Sequence, residues 1–143
     1  MKKRNLRKLA NYLLNLPEGY KHFDMETLCS TDKGAFDDSP LAVKAVIESC
    51  GTTACALGHA PTIRGFEPED GEDWEEYCER MFGLEFNEND WEWCFGTIWE
   101  GLDNSPLGAA LRIFYLLDFG APDRWDYDEG QAVPLYTNAY EVS

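Results

Sequence analysis

A chain of 143 residues with 44% hydrophobic and 14% aromatic side chains can bury one self-sufficient core and is too apolar to be disordered. Its formal net charge of −15 excludes the positive footprint that general nucleic-acid or anionic-membrane binding requires, and it favours solubility. Five cysteines, an odd number without secretory context, point to reduced thiols in a cytoplasm rather than a disulfide framework.

The charge is uneven. Lys2, Lys3, Arg4, Arg7 and Lys8 crowd the start, whereas residues 67–129 carry only Arg80, Arg112 and Arg124 against a dense acidic background. The basic start does not read as a signal peptide, because Leu6, Leu9, Leu13 and Leu14 alternate with polar residues and leave no apolar h-region. No run has the length of a membrane span.

Residues 4–16 place Leu6, Leu9, Leu13 and Leu16 at helical spacing, and Pro17-Glu18-Gly19 ends that helix. Tyr20 to Met25 read as an extended aromatic segment packed on the core, and residues 29–38 as loop. Ser39-Pro40 opens a second helix, with serine as N-cap and proline at the first position, whose body LAVKAVIES runs into Cys50-Gly51. There glycine supplies a left-handed helix end.

Thr52 or Thr53 then reads as the N-cap of a short helix carrying Ala54, Cys55, Ala56, Leu57 and Gly58, stopped by Pro61. Small residues at 54, 56 and 58 admit a close backbone or ligand, and the N–H groups of residues 53–55 would cradle an anion. After an acidic loop, Trp74, Tyr77, Cys78, Met81 and Phe82 trace an amphipathic helix stopped by Gly83. Asn87 with Asp90 resembles a cap for the next helix, NDWEWCF. Ser105-Pro106 starts the last clear helix, whose apolar face runs through Leu107, Ala110, Ile113 and Leu117 to Gly120 and Pro122. The pattern predicts one mainly α domain of five or six helices with little or no sheet, residues 123–143 forming either a short strand or a loosely docked tail. The 39–60 helices would pack against the 74–82 and 106–118 helices with the tryptophans between them.

Four chemistries suit these residues. Cys55 and His59 share a helical face and could chelate a metal with Cys50 and one of Cys29, Cys78 or Cys94, but Cys-x4-Cys-x3-His is not a common zinc spacing, so no metal or other cofactor is predicted. Cys55 near a helix start could be a nucleophile, with His22 as base and Asp24 as orienter, since His59 on the same helix is awkwardly placed. A small ligand would find N–H donors around Gly51, Thr52, Thr53 and Cys55, positive charge at His59, Arg64 and Arg112, and stacking surfaces at Trp91, Trp93 and Trp99. The acidic runs PEDGEDWEE and PDRWDYDEG could imitate a phosphate backbone and occupy a DNA-binding protein. Both the short helix and the tryptophans also read as plain core.

Two stretches together resemble a family of short bacteriophage and prophage proteins. One is CGTTACALGHAP, preceded by Leu16-Pro17 and Phe23-Asp24-Met25; the other is WEWCF followed by DNSPLGAALRIFYLLDFGAP, at 91–95 and 103–122. The resemblance runs from about residue 13 to 122 and leaves aside the tail and the acidic segment 67–73. It implies a phage accessory protein in the host cytoplasm, with no established activity. Such proteins commonly counter host immunity, by sequestering a small nucleotide-derived signal or by binding a host protein. The concentration of unusual residues around small-residue turns favours sequestration without catalysis. Self-association into a homo-oligomer is compatible with either route.

Overall fold

The computed structural model describes residues 1–25, 27–31, 34–35, 39–47, 52–86, 88–96 and 105–121. The fold is mainly α. Among the described residues the helices are α1 (Lys3–Leu14), α2 (Pro40–Val46), α3 (Ala56–His59), α4 (Trp74–Phe82), α5 (Asn89–Phe95) and α6 (Pro106–Phe119), with a 3₁₀ turn at Ala60–Thr62. Strands β1 (Cys29–Thr31), β2 (Gly34–Ala35) and β3 (Thr53–Ala54) form a small antiparallel sheet of order β2-β1-β3, with Ser30 opposite both Ala35 and Thr53. Residues 29–38 are therefore not all loop. Strands of two or three residues are too short to carry a readable period-2 pattern.

Helix α1 is the centrepiece. Its stripe of Leu6, Leu9, Ala10 and Leu13 is buried, chiefly against α6 and also against α4. The predicted packing leaves α1 out: α2 and α3 lie chiefly on each other and on the 3₁₀ turn, and α5 lies on α6. Cys55, Ala56 and Leu57 share one core with Tyr77, Cys78, Trp93 and Ile113, and Trp74 packs on the cluster of Val43 and Ile47. Amphipathicity shows that a face is buried, not which partner buries it.

The start of α1 also completes α4. The last carbonyls of a helix lack internal partners and carry its negative pole. Here the Lys2 amide donates to the Phe82 carbonyl at 2.7 Å, Asn5 Nδ2 donates to the Met81 carbonyl at 2.7 Å, and the Lys2 ammonium donates to the Arg80 carbonyl. Gly83, with φ of 65°, turns the chain out of the helix. At the other end, Asp73 Oδ1 accepts from the Glu76 amide at 2.8 Å and Glu76 Oε1 accepts from the Asp73 amide at 3.1 Å, a reciprocal capping box.

Serine and proline start α2 and α6 as the sequence predicts, with Ser39 Oγ accepting from the Ala42 amide and Ser105 Oγ from the Gly108 amide. Helix α5 spans NDWEWCF, but its N-cap is Glu88; Asn87 lies outside the described residues, as do Cys50, Gly51, Pro122 and the 123–143 tail.

The acidic segment after residue 66 is organised by one cation. Arg80 grips the Glu72 carboxylate in a fork, Nε at 2.6 Å and one terminal nitrogen at 2.7 Å, and that nitrogen also donates to the Glu67 carbonyl at 3.1 Å. Glu72 is only 8% exposed, and the Arg80 hydrogen bonds hold its carboxyl below the usual range. Among the described residues no helix is long and apolar enough to cross a membrane.

Candidate functional site

The segment 52–61 departs from its sequence reading. Thr53–Ala54 is strand β3, and α3 begins only at Ala56, with Cys55 as an N-cap that makes no side-chain capping bond. Tertiary partners decide this. The Ala54 amide donates to the His22 carbonyl and the Cys55 amide to the Thr27 carbonyl, both at 2.9 Å, and the Ala56 amide lies 3.5 Å from the Met25 sulfur. Two of the three amides assigned to an anion cradle, Ala54 and Cys55, thus bind the chain itself. The close approach that small residues permit is also internal: a Cβ on Gly58 would collide with the Leu28 carbonyl oxygen and lie 2.8 Å from Ala54 Cβ.

Both histidines are turned toward main chain. His59, fully buried, has Nδ1 at 2.8 Å from the Cys55 carbonyl, which can only accept, so Nδ1 carries the proton. In the neutral ring Nε2 then accepts from the Tyr20 hydroxyl at 3.0 Å. His22 Nδ1 likewise donates to the Thr52 carbonyl at 2.8 Å. Tyr20, His22, Phe23 and His59 form one aromatic cluster, with Tyr20 at 5.3 Å from His22 and Phe23 at 5.7 Å from His59, centroid to centroid. Asp24 is half-buried beside it, its amide donating to the Ala54 carbonyl.

The Cys55 thiol is pushed up to about 11 by burial, which outweighs the neighbouring amides of Gly58, Leu57 and Cys55 and the charge of Arg112. Burial also raises Cys78, to about 12, and raises Cys94 and Cys29. These sulfurs are thiols at neutral pH, so a hydrolase built on Cys55, His22 and Asp24 has no ready thiolate. Among the described residues no three His, Cys, Asp or Glu side chains converge as a metal site, and both His59 nitrogens are engaged.

Arg112 is 1% exposed, and Trp93, fully buried, donates its indole N–H to the Arg112 carbonyl at 2.7 Å. Arg112 lies near enough to Cys55 and Cys94 for its charge to act on both thiols. The structure thus gathers Cys55, His59, Trp93 and Arg112 into the core, with Thr52 buried and Thr53 half-buried nearby. Two predicted ligand residues stand apart. Arg64 is exposed, its carbonyl accepting from Lys8 Nζ at 2.6 Å, and Trp91 is half-buried against Phe86 with ring centroids 4.6 Å apart. Gly51 and Trp99 lie outside the described residues.

An open groove of about 350 Å³ lies elsewhere, between the end of α1 (Leu13, Leu14), the turn Leu16–Tyr20, Phe23 and the first turn of α6, Ser105–Leu107. Leu14 and Leu107 are 42% and 51% exposed at its edges. Leu107 is thus a groove residue rather than a member of the buried face of α6. Tyr20 joins the groove to the core through its bond to His59. The sequence signals were weak: Leu14 stands off the Leu6–Leu9–Leu13 stripe, and aromatic Tyr20 and Phe23 follow a Pro-Glu-Gly turn.

No family model, curated protein or solved structure matches this chain.

Proposed function

We propose that this protein is a phage-encoded accessory protein that binds and sequesters a small nucleotide-derived immune signal of its bacterial host, without catalysis, in the groove between α1 and α6. The groove carries the reading. Its volume of about 350 Å³ falls within the range of small-molecule sites, roughly 300–1,000 Å³. Tyr20 and Phe23 offer aromatic surface for a flat ring, and Leu13 and Leu16 offer apolar wall. The first turn of α6 contributes only its positive pole, since Pro106 has no N–H, Ser105 caps the Gly108 amide and Glu18 also lines the groove. The buried, protonated thiols favour binding over chemistry. The phage context rests on the resemblance of the two sequence motifs.

Residues 52–55 are the weaker seat for phosphates, because the chain already uses the amides of Ala54 and Cys55. Inhibition of a host protein is the second reading, favoured by the exposed run of Glu67, Glu69, Asp70, Asp73, Glu75, Glu76 and Glu79.

The test is to incubate the protein with lysate from cells whose nucleotide-based defences are active, wash, denature and identify what is released. An intact nucleotide is expected from the wild type and not from Leu107→Trp, which fills the groove. A processed nucleotide would indicate an enzyme. A co-purifying host polypeptide with nothing small released would replace sequestration with inhibition.

A further inference from the structure

The outward face of α1 is out of keeping with a chain of net charge −15. Lys3, Arg4 and Arg7 are exposed there, without an ion-pair partner among the described residues. Lys2 and Lys8, by contrast, are committed inside the chain, to the carbonyls of Arg80 and Arg64. Lys3 and Arg4 stand in a first turn that holds no acidic residue, at the positive end of the helix. Lys3 and Arg7 are four apart, a like-charge spacing that destabilises a helix. An external anionic group would relieve both penalties.

The chain carries a face that matches. Glu75, Glu76 and Glu79 are exposed on α4 with the spacing that Lys3, Arg4 and Arg7 have on α1. Glu75 and Glu79 likewise lack an ion-pair partner among the described residues, and they repeat the like-charge i, i+4 problem with opposite sign. On each helix those two charges are about 6 Å apart along the axis, so two such helices side by side bring them together in pairs. Within one copy this does not happen: the start of α1 is pinned to the last turn of α4 by the Lys2–Phe82 bond, and no ion pair joins the two faces.

We propose that the partner of this basic face is a second copy of the chain, in a two-fold dimer where Lys3, Arg4 and Arg7 of each copy meet Glu75, Glu76 and Glu79 of the other. Because each copy carries both faces, one two-fold axis makes the contact twice and closes the assembly. The net negative charge opposes approach, but at physiological ionic strength repulsion is screened beyond about 8 Å, whereas pairs in contact are screened less. The groove plays no part in this contact, so the dimer and the ligand proposal stand or fall separately.

Sedimentation of the full chain over a concentration series tests it. The variants K3E/R7E and E75K/E79K leave the Glu76 capping box intact, and circular dichroism melts verify their folding. Each is expected to weaken dimerisation about tenfold or more. Mixing the two restores it, since every contact then pairs opposite charges, and so does combining all four changes in one chain. The E75K/E79K chain is less negative than the wild type, so an effect of net charge alone would strengthen association where weakening is expected. A monomeric wild type at millimolar concentration would overturn the proposal. So would variants that associate like the wild type, mixtures that stay monomeric, or nucleic acid captured by the basic face in place of a second copy.

Discussion

Trp93 and Arg112 meet through an indole N–H and a main-chain carbonyl at 2.7 Å, and this bond fastens α5 to α6 inside the core. Trp93→Phe removes the donor and leaves a gap in a site with no exposed surface. A net hydrogen bond and a partial cavity together predict a loss of about 2 kcal/mol, read by urea unfolding with the helical spectrum retained. A loss under about 0.5 kcal/mol would mean that the indole does not anchor the two helices.

The cysteines give a second expectation. With Cys55 pushed up to about 11 and Cys78 to about 12 by burial, a thiol alkylator at pH 7.5 should react slowly with the native protein and quickly with the unfolded one. Mass spectrometry of tryptic peptides would follow each residue. Rapid native labelling of Cys55, blocked by a ligand, would instead revive a nucleophilic role.

Glu72 predicts a pH dependence. Its carboxyl is held low by Arg80, so the stability it contributes is fully present above the ordinary glutamate value of about 4.3 and is lost as pH falls through the lower folded value. Arg80 is partly exposed, which limits the effect to about 1 kcal/mol. Glu72→Gln should be less stable by that amount at pH 7, and in denaturant titrations the two proteins should converge once the pH falls below the lowered folded value. A gap that persists unchanged at low pH would rule out the ion pair as its source.

Gly58→Ala tests the packing of α3 against Leu28 and strand β3. The new methyl would strike the Leu28 carbonyl and crowd Ala54, a backbone clash that flexible side chains cannot absorb. Overpacking of this kind costs about 1–3 kcal/mol, measurable as a drop in thermal midpoint. Gly19→Ala is the comparison: nothing lies within 4 Å of its added methyl, so its cost comes only from the positive φ of 79°.

Helix punctuation was legible before any coordinates. Ser39-Pro40, Ser105-Pro106 and Gly83 mark helix ends because each satisfies or terminates the backbone locally. Thr52-Thr53 was not legible, since threonine suits a cap and a strand equally and the choice fell to distant partners, His22 and Thr27. The burial of Arg112 was signalled by its spacing, because Ala109, Tyr115 and Leu116 share its side of α6. Its charge drew attention to a ligand role instead. The groove needs Leu13 and Leu107 side by side, and nothing local in either stretch announces the other.

The contact between α1 and α6 has a consequence for synthesis. Leu6, Leu9 and Leu13 leave the ribosome well before α6, the helix that chiefly covers them, which begins at Pro106. At about 5–20 residues per second, this stripe waits roughly 5–20 s for its cover. During that wait its leucines are open to a chaperone or to another nascent chain. Ribosome-bound chains halted before residue 106 should therefore recruit holdases, and finished chains freed from the ribosome should release them.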